Sequence, residues 1–321
     1  MSATTPPSIA GSGASIVSFG SINADLAAYC RALPRPGETV HAERYKIGLG
    51  GKGANQAACA ARLAGSLGIG VSMVGRVGND PFGALVRDRL AAFGASLDHV
   101  RVDADNPTGI ALIGIESSGE NSITVVGAAN MAIDSTDVDQ ASPLLSAARV
   151  LLLQLETPVA ASLEAARLAR AGGGIVILDP APAPEHGLPD ALWQLADLLT
   201  PNETEAEALV GVRPTDPASA SACADRMQER GLTRCIVKLG ARGVYFRDRD
   251  GDGFVPPFAV KAVDSVAAGD CFNAGLAVAL AQGKVLGEAA RFAAACGALA
   301  TMRAGAAEAA PSLDEVLALL G

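Results

Sequence analysis

The sequence predicts an α/β chain with a mostly parallel central sheet, and three observations carry that expectation. Short apolar runs alternate with helix-length stretches, which is the pattern of strand–helix–strand crossover units. The chain has 321 residues, 50% of them hydrophobic, enough for a large core. Two regions, 39–47 and 108–126, hold strand-like pieces with no helix between them. They predict a small β-layer projecting from the main sheet.

Taken in order, residues 15–19 read as a strand and 55–64 as an Ala-rich helix. Residues 71–75 form the next strand, followed by a helix at 81–93 with Phe82, Leu85, Val86 and Leu90 on its apolar face. In the β-layer, 109–115 and 122–126 pair through the loop Ser117-Ser118-Gly119-Glu120-Asn121. A buried strand at 150–155 leads into a helix at 159–171, and a strand at 175–178 into a helix at 188–195. Residues 196–200 and 235–239 read as further buried strands. A strand-like run at 259–263 precedes a long apolar helix at 272–281. The opening 1–14 is rich in Ser, Thr, Pro and Gly and reads as a flexible tail. The remainder, 15–321, shows no interdomain linker and no internal repeat, which predicts a single domain.

Composition excludes several classes of partner. The formal net charge of -9 and the 4% aromatic content argue against nucleic acid and anionic membranes. No stretch has transmembrane length, and no secretory signal is expected in the first thirty residues, which lack Lys and Arg. The six cysteines, at 30, 59, 223, 235, 271 and 296, show no C-x-x-C spacing. They predict free thiols and a reducing, cytoplasmic setting.

The most informative stretch is Ala267-Ala268-Gly269-Asp270, placed where the long apolar helix begins. A small-residue turn at a helix start offers free backbone N–H groups and the positive end of the helix dipole, a site for phosphate. Asp270 would repel a phosphate, so its place there points to a base that takes a hydroxyl proton as a phosphoryl group arrives. The plain alternative is a carboxylate that only favours the helix dipole.

Gly48-Leu49-Gly50-Gly51-Lys52-Gly53 matches G-x-G-x-x-G. A dinucleotide site would need an apolar strand before it and an acid about 20 residues on. Arg44-Tyr45-Lys46 makes a poor buried strand, and no Asp or Glu lies between Glu43 and Asp80. A P-loop fails too, because Gly53 follows Lys52. What remains is close backbone approach to a small polar ligand, with Lys52 and Asn55 aimed at it, or a bare Gly-rich turn. Asn23 and Asp25, just past the first strand, suit recognition of vicinal hydroxyls or form an Asx turn. Glu156 ends the strand 151–155 and lies on the same sheet edge as Asn23 if the strands are parallel, or is simply a solvated strand terminus. Asn202 and Glu205 share the first turn of a helix. They fit a capping box and, together with it, waters around magnesium. The histidines at 41, 99 and 186 lie outside every motif, which disfavours acyl transfer and zinc hydrolysis.

In this order, Gly-Ser-Ile-Asn-Ala-Asp at 20–25, Pro-Gly-Glu-Thr-Val at 36–40, Gly-Gly-Lys-Gly-Ala-Asn-Gln at 50–56, Gln-Leu-Glu at 154–156, Pro-Asn-Glu-Thr-Glu-Ala-Glu at 201–207 and Ala-Ala-Gly-Asp at 267–270 resemble the carbohydrate and purine kinase (PfkB) family, in its ribokinase branch. The resemblance spans about 15–305. It implies a ribokinase-like three-layer sandwich with a β-lid at about 36–48 and 107–127, and a homodimer through that lid. It implies transfer of the γ-phosphoryl of ATP to the 5-hydroxyl of D-ribose, with Mg2+ and an activating K+. Kinases of the same family acting on deoxyribose or fructose, and a sugar-binding relative without catalysis, are the competing readings.

The resemblance also implies roles. Asn23, Asp25, Gly51, Lys52, Asn55, Glu156 and the apolar Ala111 and Ile113 match sugar contacts. Asn202, Lys238, Gly240, Ala241, Arg242, Gly243, Gly269 and Ala294 match the nucleotide side. Asp270 matches the base, with Ala268 and Gly269 in the anion hole. Asp264, with Val266, Ala300, Arg303, Gly305 and Ser312, matches a monovalent-cation loop. Four features depart from the pattern: Lys238 for a common Thr, Ala294 for a polar residue, Cys271 for a Thr, and a longer run after Gly305.

Overall fold

The computed structural model describes residues 15–118, 120–183 and 186–321. The expected tail 1–14 and Gly119 of the hairpin loop lie outside them. The chain begins with β1 (Ser15–Phe19), then β2 (Asn23–Cys30), β3 (Ala42–Gly50) and α1 (Lys52–Ala64). Next come β4 (Gly70–Gly78), α2 (Pro81–Ala92), β5 (Ser96–Asp103), β6 (Gly109–Glu116) and β7 (Asn121–Val126). The middle holds α3 (Ser135–Ala147), β8 (Val150–Leu153), α4 (Val159–Ala171), β9 (Ile175–Leu178), α5 (Asp190–Leu195) and β10 (Leu198–Leu199). The last third holds α6 (Glu203–Val210), α7 (Pro217–Glu229), β11 (Cys235–Lys238), β12 (Val244–Arg247), β13 (Asp252–Val255), α8 (Ala268–Ala281), α9 (Leu286–Ala300) and α10 (Leu313–Leu320).

Nine strands make the main sheet, in the order β13-β12-β11-β10-β9-β8-β1-β4-β5. From β11 to β5 every pairing is parallel, and β12 and β13 add antiparallel at one edge. The central strands are mostly apolar because both faces are covered, and buried Ser18 of β1 satisfies its hydroxyl on the Gly53 carbonyl at 2.8 Å. Their side chains divide with a period of two. Ile16, Val150, Leu152, Ile177 and Ile236 face the layer of α1, α8 and α9. Val17, Phe19, Leu151, Leu153, Val176, Leu178 and Val237 face the layer of α3 to α7. The first layer is built of small residues, so its helices approach closely. A Cβ on Gly275 of α8 would lie 2.6 Å from Cys296 Sγ of α9.

A second sheet of four strands runs β3-β2-β6-β7. Its central pair, β2 and β6, is parallel, and the outer pairs are antiparallel. Register sets Asp25 opposite Ala111 on one side and Gly48 on the other. Asn23, Asp25, Ala27, Ala111 and Ile113 therefore share one face, while Leu26, Ala28 and Leu112 take the other.

The structure corrects four readings. Residues 259–263 form no strand; Val263 and Asp264 donate their N–H groups to one carbonyl, that of Thr301, at 2.7 and 3.0 Å. The stretch from Asn23 is not an isolated turn but the start of β2, so the lid takes a strand from 23–30 as well. The strand expected at 150–155 stops at Leu153, because the Leu155 N–H turns to the carbonyl of Ala181 at 2.9 Å. The strand expected at 196–200 shortens to Leu198–Leu199.

Candidate active site

Two helices point their N-termini at the cleft between the sheets, and their caps differ. At α1, Gly51 is the N-cap with φ +84° and no side-chain cap. A Cβ there would lie 2.8 Å from the Ser21 carbonyl oxygen, so only glycine lets the β3–α1 turn pass. The free N–H groups of α1 are taken up by neighbours. Lys52 N donates to Glu156 Oε2 at 3.1 Å and Ala54 N to the Ser21 carbonyl at 2.9 Å. The Ser21 hydroxyl also bonds Glu156. At α8 the N-cap is Ala267, left-handed at φ 57°, and no side chain caps the helix. Of the backbone N–H groups that its first turn, Ala268-Gly269-Asp270, leaves without an intrahelical partner, that of Ala268 donates to the Ser265 carbonyl at 3.3 Å.

Asp270 is the charged residue of that turn and is 6% exposed. It accepts from Asn55 Nδ2 at 3.0 Å and from Gln56 Nε2 at 3.1 Å, both on α1. Burial pushes its proton affinity up to about pH 6, against the opposing pull of the Lys52 ammonium and with Asp179 adding to the rise. Lys52 is half-buried, and the loss of water favours its neutral form. Asp270, Asp179, Glu156 and Glu205 overcome that and hold its pKa above the usual lysine value.

A cleft of about 600 Å³ opens between the lid and these helices. Asn23, Asp25, Gly51, Lys52, Asn55, Ala111, Ile113, Glu156 and Asp270 all line it. The structure thus brings the whole sugar-side set together from five separate segments. Asp25 is raised to about 7 by burial first, then by Glu156, Glu308 and Asp270. Its carboxylate lies against β3, where a Cβ on Gly50 would sit 1.9 Å from Oδ1. Asn23 Oδ1 accepts from Asn130 Nδ2 at 2.7 Å, and Asn130 also bonds both backbone groups of Ile22. That contact leaves the Asn23 amide NH2 free to turn to the cleft.

The residues expected on the nucleotide side are not among those lining this cleft. Asn202 caps α6 in a reciprocal capping box with Glu205, whose two carboxylate oxygens accept from Asn202 N and Nδ2 at 2.8 Å each. Glu205 is buried, which raises its proton affinity, and Lys238 opposes the rise. Lys238 ends β11 and pairs with Asp179 at 3.1 Å. The loop Gly240, Ala241, Arg242, Gly243 follows, with Arg242 paired to Glu203 of α6 at 2.8 Å. Ala294 lies on α9, half-buried, one turn before Gly297, which packs on the carbonyl of Ala268.

Of the cation-loop set, Asp264, Val266 and Gly305 line the cleft's rim. Asp264 accepts from Val266 N at 3.0 Å and Gly305 N at 3.1 Å, tying two loops together. The Ala300 carbonyl accepts from Arg303 N at 3.3 Å. Arg303 pairs with Glu315. Ser312 is the N-cap of α10: its hydroxyl accepts from Glu315 N at 3.3 Å and its carbonyl from Val316 N at 3.2 Å. Both oxygens serve that helix, and Glu315 with Arg303 links Ser312 to the loop.

Sequence reasoning gave no role to Ser21, Gln56, Asn130, Gln154, Asp179 or Glu308. Ser21, Gln56 and Gln154 stood inside motifs and could have been drawn from them. Asp179 stands just past a buried strand, where open sheets gather ligands. Asn130 and Glu308 carry no such signal.

Residues 14–313 match the family described as pfkB family carbohydrate kinase. The chain is similar to the ribokinase of Haemophilus influenzae, 38% identical over 302 residues that cover 94% of this chain and 97% of that protein. It is similar in structure to the ribokinase of Arabidopsis thaliana complexed with ribose and ATP, with a TM-score of 0.89, 35% identity and coverage of 97% and 99% of the two chains. The ribokinase from Thermotoga maritima superposes with a TM-score of 0.86 at 36% identity over 96% of this chain and 99% of that one. The chain therefore belongs to the pfkB family of carbohydrate kinases.

Proposed function

We propose that this chain is an ATP-dependent ribokinase, forming D-ribose 5-phosphate from D-ribose. One observation carries the reading: Asp270, buried and held by Asn55 and Gln56, stands at the uncapped start of α8 in the same cleft as Asn23, Asp25 and Lys52. That geometry sets a base between a polyol-binding face and an anion-binding turn. Asn23 and Asp25 bond the ribose 2- and 3-hydroxyls, with Gly51, Lys52, Asn55 and Glu156 around the ring and Ala111 and Ile113 against its apolar edge. Asp270 takes the proton of the 5-hydroxyl, whose oxygen attacks the γ-phosphorus in line as ADP leaves. Charge growing on the transferred phosphoryl group meets the backbone N–H of Gly269, that of Ala268 once it leaves its 3.3 Å bond to the Ser265 carbonyl, and the ammonium of Lys238. Asn202, the loop from Gly240 to Gly243, and Ala294 receive the rest of the nucleotide.

The residues also fit the ions. Glu205 is fixed by its capping box as a hard-oxygen anion, which suits an outer-sphere role beside a hydrated magnesium on the phosphates. Asp264 joins two loops rich in backbone carbonyls, from Val266, Ala300, Arg303 and Gly305, and one carboxylate among carbonyls suits a monovalent cation such as potassium.

Two further readings belong here. The outer lid face shows an apolar hollow lined by Leu26, Leu33, Tyr45 and Leu112, with Tyr45 78% exposed, and this supports a homodimer through the lid. All six cysteines are unpaired and no helix among the described residues is long and apolar enough to cross a membrane, which supports a reducing, cytoplasmic setting.

The test is ADP formation against a panel of pentoses and hexoses, with the product's phosphate position read by NMR. Ribose should exceed 2-deoxyribose clearly in kcat/KM, because a site built to bond a hydroxyl is left unpaired without it. No ribose-dependent ADP formation would refute the reading, and equal efficiency would favour a kinase for another sugar.

A further inference from the structure

One buried carboxylate at the site has no part in the reaction as derived above. Asp179 follows β9 at the end of the sheet where the cleft opens, with its side chain 4% exposed. It accepts from Lys238 Nζ at 3.1 Å on one oxygen and from Gln56 Nε2 at 3.2 Å on the other. The same Gln56 nitrogen donates to Asp270 Oδ1 at 3.1 Å. A carboxamide NH2 has two hydrogens, so it serves two carboxylates at once. Its orientation is fixed from behind, where Gln56 Oε1 accepts from Gln154 Nε2 at 2.8 Å. Lys238 stands in turn at the start of α8, since a Cβ on Gly269 would lie 3.6 Å from its Nζ. The structure therefore holds an unbroken chain, Lys238–Asp179–Gln56–Asp270, from the phosphate side of the site to its base.

We infer that Asp179 is a positioning residue for phosphoryl transfer: it holds the Lys238 ammonium at the anion-binding turn and couples it through Gln56 to Asp270. The inference rests on the kinase reading above. A lysine ammonium is a point charge on a flexible four-carbon stem, and a phosphate alone does not fix where it sits. The carboxylate of Asp179 fixes it before the nucleotide arrives, so little reorganisation is needed in the transition state. The link to Asp270 is electrostatic. Asp179 is a like charge joined to the base by one amide, and it makes Asp270 hold a proton more tightly. When the ammonium turns partly to a phosphate oxygen, less of the Asp179 charge is offset. Asp270 then becomes the stronger base just when the phosphoryl group is in place. The other groups that bear on Asp270 are Lys52 and Cys59 of α1 and Asp25 of the lid. None of them bonds Lys238.

The experiment compares the parent, Asp179→Asn, Lys238→Met and the double variant as ribose-dependent ATP turnover across pH, with melting temperatures alongside. Asp179→Asn keeps the shape and a group that can accept from Gln56. It should lower kcat roughly tenfold without raising the KM for ATP, since it removes a negative charge beside the phosphates while loosening the ammonium. The acid limb of kcat/KM should move to lower pH by roughly half a unit or more, because a like charge has left the base. In the Lys238→Met background, Asp179→Asn should add little further loss in kcat, the mark of residues acting as a unit. An acid limb that stays put, or a loss that is as large without Lys238 as with it, overturns the inference. A merely structural role would lower rate and melting temperature together at every pH, and that outcome also overturns it. A parent with no ribose-dependent turnover refutes the kinase reading instead, so the two failures are distinct.

Discussion

Asp25 is the residue whose replacement should stabilise the protein while removing its sugar binding. Its carboxyl is lifted from 3.8 to about 7, first by burial and then by Glu156, Glu308 and Asp270. A folded-state pKa above the unfolded one makes the native state bind the extra proton. The resulting stability is fully present below pH 3.8 and is lost as pH rises through about 7. Between pH 5 and pH 8 that linkage is worth at most about 3 kcal/mol, at about 1.4 kcal/mol per tenfold in proton affinity. Water entering the open cleft lowers this to about 1–2 kcal/mol. Asp25→Asn has no such titration. Urea unfolding of both proteins without ligand should therefore show the variant gaining about 1–2 kcal/mol over the parent between pH 5 and pH 8. Its KM for ribose should rise by roughly 10²-fold or more, as a buried bond to a hydroxyl is replaced by a poorer acceptor. A stability difference that is the same at pH 5 and pH 8 would refute the electrostatic reasoning, whatever happens to the KM.

Asp270→Asn should keep the fold and lower kcat by roughly 10²–10⁴ with little change in the KM for ribose; near-normal turnover would remove Asp270 from the role of base. Exchanging potassium for sodium or a bulky organic cation at fixed ionic strength should slow the parent, and Asp264→Ala should abolish that dependence; identical rates in all three salts would rule the cation site out. Leu112→Asp on the outer lid face should give monomers in sedimentation velocity where the parent gives dimers, and a variant that still sediments with the parent would place any dimer contact elsewhere.

The interior of this fold was open to sequence reading because both faces of its sheet are covered. β8 and β9 are unbroken apolar runs, β1 and β11 are mostly apolar, and α4 was assigned at both ends. The lid was harder, for a physical reason. β2 reads Asn-Ala-Asp-Leu-Ala-Ala-Tyr-Cys and is half-buried along most of its length, so no clean alternation separates core from solvent. Residues 259–263 mislead in the opposite way: Ala-Val-Lys-Ala-Val is mostly apolar with two β-branched valines, but it forms no strand, and the Thr301 carbonyl receives the N–H groups of Val263 and the following Asp264. The exposed strands β5 and β13 gave no apolar run to find. At the site, glycines and polar residues packed into short motifs were legible because each motif is one contiguous stretch of a few residues. Asp179 and Asn130 were not, because each acts by reaching a residue more than 50 positions away.

The distribution of charge explains how an acidic protein receives a polyanion beside four acids. The carboxylates of Asp25 and Glu156 line the part of the cleft proposed for the sugar, where polyol hydroxyls donate and a carboxylate is the right acceptor. Lys238 and the uncapped turn of α8 lie on the other side, with Asp179 balancing the ammonium there. Lys52 sits between, drawn by acids of both sides. Asp270 stands at the boundary, its backbone in the anion-binding turn and its side chain among Asn55 and Gln56 of α1. If Asp270 is the base proposed above, it feels both substrates in that place. A bound sugar adds hydroxyl donors near Asp25, and a bound phosphate adds negative charge near Lys238. The second change raises the proton affinity of Asp270, so the carboxylate accepts a proton most readily when both substrates are present and least readily when the site is open to water.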